Sequence, residues 1–209
     1  MNYTPLTYIY KAAATPGAST LLLLHGTGGD ETDLIPLAKQ FGEAFNILSL
    51  RGNVSEHGMP RFFKRLGMGI FDEADLRFRT DELVNFVKEL AIKEGFDIDK
   101  LIALGYSNGA NIAGSMLVMY PNLLKAAILY RPMQPFKQLP DDWKTDRQAP
   151  VFLSNGKMDN TINPLHTQQY SDALQRAGFA VTAHEIATGH QLTQEDVATS
   201  IKWLNSLYK

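Results

Sequence analysis

An α/β domain, its mostly parallel sheet of about seven strands covered by helices on both faces, is what this sequence predicts, and three observations carry the prediction. Short apolar runs alternate with helix-period segments along the whole chain. Those runs are apolar at consecutive positions, as in the four leucines at 21–24, which is how a strand buried on both faces reads. The 209 residues suit a single domain over 1–209, long enough to bury about 70% of its unfolded surface.

Strands are expected over 6–10 and 20–25, followed by a helix over 34–41 and a strand over 46–50. A helix over 80–94 stops at Gly95, as a C-cap glycine would stop it, and the strand 100–106 runs into a helix over 108–120 that Pro121 cannot extend. Strands at 126–130 and 151–154 come next. The helix 164–177 is closed by Gly178, and the strand 181–186 precedes a helix over 193–207. Thr193 with Asp196 three residues later resembles an acidic capping box at that last helix start. Two stretches, 51–79 and 131–149, break the rhythm and read as functional rims or as loops hiding short helices. The second is too short for a large lid, and no large lid domain is expected.

Composition narrows the partners. A net charge of −2 argues against nucleic acid or a polybasic membrane patch. With no cysteine, disulfides, a thiol nucleophile and zinc-thiolate sites are excluded. Lys11 is the only basic side chain in the first twenty residues, no apolar leader core is present, and no run reaches membrane-spanning length. A cytoplasmic protein with a small-molecule partner and no membrane insertion is expected. The oligomeric state is left open, a homodimer included.

Gly105-Tyr106-Ser107-Asn108-Gly109 lies between an apolar strand and a helical segment, and so reads as a nucleophile elbow. A serine on so sharp a turn is pushed above the sheet, and glycines two residues either side let strand and helix approach. Serine needs a base and an orienting acid. Asp159 follows the strand 151–154 and His190 follows the strand 181–186, the chain order Ser, Asp, His that strand-edge triads of this kind use. His25, His57, His166 and His184 compete as base, but only His190 sits in a loop after the last strand. Asp141, Asp142 and Asp146 compete as acid without a strand before them. The oxyanion would take backbone amides from Asn108 and from the His25-Gly26-Thr27-Gly28-Gly29 loop, through Thr27. For that role the side chain at Thr27 carries little information.

These residues resemble the carboxylesterase/phospholipase family of small α/β-hydrolases, which includes acyl-protein thioesterases and compact bacterial carboxylesterases. The likeness runs from Leu21 onward. It rests on Leu-Leu-Leu-Leu-His-Gly-Thr-Gly-Gly-Asp, Gly-Tyr-Ser-Asn-Gly-Ala-Asn, the Asn155-Gly156 loop leading to Asp159, and Gly189-His190. It implies a cofactor-free, metal-independent serine esterase with Ser107, Asp159 and His190 as triad and Thr27 and Asn108 around the oxyanion. Acyl-protein thioesterases carry Gln and a Gly-Gly pair after the serine, where this chain has Asn108-Gly109-Ala110, so it is more similar to the bacterial small-ester hydrolases. A thioesterase or lysophospholipase-like activity, and a catalytically silent binding protein on the same fold, are the alternatives.

The rim 51–79 mixes Met59, Phe62, Phe63, Met68, Ile70 and Phe71 with Arg51, Arg61, Arg65, Arg77 and Arg79. Phe62, Phe63 and Arg61 are the candidate substrate-binding residues, the arginine as a clamp for a carboxylate. The competing reading pairs the arginines with Asp72, Glu73 and Asp75 to staple the loop. A dinucleotide site at Gly26-Thr27-Gly28 is disfavoured, because the third glycine of that fingerprint would fall at Glu31.

Overall fold

In the computed structural model, which describes residues 3–207, the chain begins with β1 (Tyr8–Lys11), β2 (Thr20–Leu24), a short helix α1 (Ile35–Ala38) and β3 (Asn46–Leu50). Two small hairpins follow, β4 (Val54–Glu56) with β5 (Met59–Arg61) and β6 (Arg65–Gly67) with β7 (Ile70–Phe71). Next come α2 (Glu73–Glu94), β8 (Leu101–Tyr106), α3 (Asn108–Met119) and β9 (Ala126–Tyr130). The last elements are β10 (Pro150–Gly156), α4 (Pro164–Arg176), β11 (Ala180–Ile186) and α5 (Gln194–Ser206). Met1, Asn2, Tyr208 and Lys209 of the expected 1–209 domain lie outside the described residues.

Seven strands form one sheet in the order β1-β3-β2-β8-β9-β10-β11, all parallel except β1, which pairs antiparallel with β3. The run of leucines in β2 is explained by burial from both sides. Leu22 and Leu24 join Leu48, Ala103 and Leu129 under α2, α3 and α4, while Leu21 and Leu23 join Ile102, Leu104 and Ile128 against α5 and the α1 segment. Alternate residues of one strand thus feed two cores. This is the α/β fold the sequence predicts.

Progress along the sheet reverses between β2 and β8, since the chain moves from β2 to β3 in one direction and from β8 onward in the other. Loops leaving these two strands therefore diverge and open a crevice at their carboxyl ends.

Differences from the expected elements have local causes. Helix α2 starts at Glu73, not 80, because Asp72 caps it, its side chain accepting from the Asp75 amide at 3.1 Å. Its first two turns are largely charged or polar, so they lack the apolar stripe that marks the rest. The hairpins inside 51–79 have strands of two or three residues, too short for alternation to register. The capping box at Thr193 and Asp196 is present, and Gly95 adopts the left-handed conformation at φ 76°. Among the described residues no helix is long and apolar enough to cross a membrane.

Candidate active site

Ser107 follows β8 directly and holds φ 50° and ψ −111°, a conformation L-residues rarely adopt. The flanking glycines make the turn sterically feasible. A Cβ on Gly109 would lie 1.9 Å from the Leu24 carbonyl oxygen, and one on Gly105 would lie 2.5 Å from that of Gly109. The Ser107 amide donates to Tyr130 O at 2.9 Å, tying the elbow to the next strand.

The loops after β10 and β11 bring two further side chains to this point. His190 Nε2 lies 2.9 Å from Ser107 Oγ, and His190 Nδ1 lies 2.7 Å from Asp159 Oδ2. A carboxylate oxygen accepts, so Nδ1 carries the proton, and Nε2 is left to accept from the serine hydroxyl. The other Asp159 oxygen accepts from the amides of Thr161 and Ile162 at 2.8 and 3.2 Å, which fixes the carboxylate plane. His25 is placed elsewhere. Its Nε2 accepts from the Gly52 amide at 3.0 Å and its Nδ1 donates to Gly26 O at 2.6 Å, while burial pushes its pKa below the ordinary imidazole value. It is a neutral hydrogen-bonding residue within the loop after β2.

Sequence reasoning missed what holds His190. Arg131, at the end of β9 and wholly buried, donates through Nε to Gly189 O at 3.3 Å and through Nη2 to Gln191 O at 2.9 Å. Tyr106 donates its hydroxyl to His190 O at 3.1 Å. Three successive carbonyls of the histidine loop are thereby fixed. Arg131 is itself held by a two-pronged pair with buried Asp196, at 2.8 and 2.9 Å, and Ser154 Oγ donates to the same carboxylate. Burial raises the Asp196 pKa, but hydrogen bonds from Arg131, Ser154 and Thr193 outweigh it and leave the group below the usual carboxylate range. A clue was legible: an arginine directly after an apolar strand, at the edge where sites form.

Thr27, in the loop after β2, and Asn108, after β8, line one small cleft of about 50 Å³ with Ser107 and His190. The loop carrying Thr27 docks on β5 through the Gly28 amide, which donates to Pro60 O at 3.0 Å. Asn108 Oδ1 accepts from the Phe62 amide at 2.7 Å.

The candidate substrate residues need correction. Phe62 and Phe63 do not reach the cleft; they are 2% and 0% exposed and pack in the core, Phe62 against the His25 ring at 4.7 Å. An apolar side chain in a polar segment can line a pocket or anchor a hairpin, and here both anchor. Arg61 does line the cleft, but it is bonded to Thr27 Oγ1 and Phe63 O. The rim arginines pair mostly outside the expected acids: Arg51 with Glu31, Arg61 and Arg65 with Glu56, and Arg79 with Glu82 and Asp75. Met68, Gly69, Phe71 and Met133 form the apolar side of the cleft.

A doubly covered parallel sheet, with a strained serine at its switch point and an Asp and a His delivered by later strand ends, defines the α/β-hydrolase class. The chain belongs to the alpha/beta hydrolase fold family, whose profile matches residues 20–181. The "Putative hydrolase MhqD" of Bacillus subtilis (strain 168) is 44% identical over 94% of this chain and 96% of its own. The crystal structure of the Bacillus cereus carboxylesterase superposes with a TM-score of 0.93 at 42% identity, covering 96% of this chain and 94% of that one. The structure of YahD with malic acid gives 0.88 at 35% identity, covering 96% and 98%.

Proposed function

We propose that this hydrolase is a serine carboxylesterase acting on small esters through an acyl-enzyme. The observation that carries the reading is the unbroken relay Ser107 Oγ, His190 Nε2, His190 Nδ1, Asp159 Oδ2, at 2.9 and 2.7 Å. Ser107 Oγ adds to the ester carbonyl as its proton passes to His190, and Asp159 stabilises the imidazolium. The negative oxygen of the tetrahedral intermediate is received by the Thr27 and Asn108 amides. His190 then returns the proton to the departing alkoxide, and water repeats the sequence to release the acid. The carboxylesterase neighbour at 42% identity supports the ester as substrate class. Mass spectrometry after fluorophosphonate treatment tests the reading: the adduct belongs on Ser107, and a folded protein that stays unlabelled rejects it.

The cleft at Ser107 is small, about 50 Å³, but a cavity of about 430 Å³ lies beside it, and Gly69, Phe71 and Met133 line both. Met133 is the flexible member of that partition. Truncating it should join the two spaces, so Met133→Ala is expected to move the optimum of a p-nitrophenyl series from acetate or butyrate towards hexanoate and octanoate, by about tenfold in relative kcat/KM. An unchanged chain-length profile would show that the cavity is not used.

A further inference from the structure

The amide of Thr27 would serve the oxyanion whatever side chain the residue carried. Its hydroxyl nevertheless sits in a defined place. Arg61 Nη1 donates to Thr27 Oγ1 at 2.6 Å, and the arginine side chain, 4% exposed, is fixed by Nε to Phe63 O at 3.1 Å with Glu56 Oε2 3.5 Å from Nη1. A threonine hydroxyl has one proton and two lone pairs, and a guanidinium can only donate. Arg61 therefore occupies a lone pair, and the hydroxyl proton must be offered to something else. Thr27 is half-buried and lines the same cleft as Ser107, Asn108 and His190.

We infer that the Thr27 hydroxyl is a third hydrogen-bond donor to the tetrahedral oxyanion, with Arg61 as the positioning residue that holds it in the donating orientation. The inference rests on the serine-esterase reading and assigns the side chain a role separate from that of the amide. A ground-state ester carbonyl is a weak acceptor. As Ser107 Oγ adds, charge gathers on that oxygen and the bond from Thr27 strengthens, so the contribution falls on the transition state. The buried cation one hydrogen bond behind polarises the hydroxyl, and little solvent screens it. A merely structural staple between the β2 loop and β5 would instead show itself in stability.

Thr27→Val keeps the shape and removes the hydroxyl. It is expected to lower kcat about 30-fold with KM within about twofold, and Thr27→Ser should recover most of the loss. Arg61→Met should lower kcat to a similar degree, and the Thr27→Val/Arg61→Met double variant should be no slower than Thr27→Val, because Arg61 acts through the hydroxyl. Steady-state kinetics on p-nitrophenyl acetate and urea midpoints for each variant give these values. A kcat for Thr27→Val within twofold of the parent, or a loss matched by KM and not rescued by serine, overturns the proposal even if Arg61→Met fails to fold. Ser107→Ala separates the two levels: wild-type turnover there removes the serine reading, whereas an inactive Ser107→Ala beside a fully active Thr27→Val removes this inference alone.

Discussion

Ser107→Ala is expected to lower kcat by about a millionfold while leaving the fold intact. The substitution deletes one oxygen, the atom to which His190 Nε2 is aligned at 2.9 Å. Without an acyl-enzyme, water must attack directly, and the remaining rate comes from the oxyanion donors and from binding. Folding is little affected, because alanine has the same Cβ as serine at φ 50° and the backbone penalty is unchanged. Glycine has no such penalty. Ser107→Gly should therefore be equally inactive yet more stable than the parent by about 1 kcal/mol, since the strained turn costs a non-glycine residue on the order of 1–3 kcal/mol. Initial rates and urea midpoints measure both effects. Activity of Ser107→Ala within a hundredfold of the parent would mean that the nucleophile lies elsewhere.

What could be read from the sequence is what local pattern encodes. The strands β2, β3, β8 and β9 are consecutive apolar residues between turn signals, and once their parallel order is inferred, the loops that follow them must share an edge. Ser107 comes directly after β8, and Asp159 and His190 lie in the loops after β10 and β11, so chain order points to their meeting, and the structure brings their side chains to hydrogen-bond distance. Glycine spacing around Ser107 carried independent information, because the close approach of Gly109 to Leu24 leaves no room for a Cβ.

Other features depend on contacts that no window of sequence contains. Phe62 and Phe63 have the composition of a pocket wall, and only the third dimension shows them packed in the core, Phe62 against His25 and Phe63 against Phe71. The early start of α2 was hidden because a polar helix face at the surface looks like a charged loop until its cap at Asp72 is seen. Arg131 is the instructive case. Its partner Asp196 is 65 residues away and was visible only as a capping acid, a role it does fill, since Asp196 Oδ2 accepts from the Thr193 amide at 2.8 Å. The same carboxylate starts α5 and neutralises the arginine that grips the histidine loop.

That double duty makes the Arg131–Asp196 pair the largest stability effect expected. Arg131→Met alone leaves a buried carboxylate without its cation and should cost about 3–5 kcal/mol in urea unfolding, and Asp196→Leu should cost as much from the other side. The joint Arg131→Met/Asp196→Leu variant removes both charges and should recover much of that stability, because each single loss is mainly the penalty of an unpaired buried ion. Activity should not recover with it. The carbonyls of Gly189 and Gln191 lose their donors in the double variant, and of the three loop carbonyls only that of His190 keeps its side-chain donor, Tyr106, so kcat should stay about a hundredfold down with KM little changed. Acid behaviour follows from the depressed Asp196 pKa. Stability from this group is fully present above the ordinary carboxylate value and is lost as pH falls through the lower folded value, so the parent should weaken below about pH 4. The joint variant should show a shallower acid limb. If its kcat returned to the parent value along with its stability, Arg131 would be a fold element with no part in placing His190.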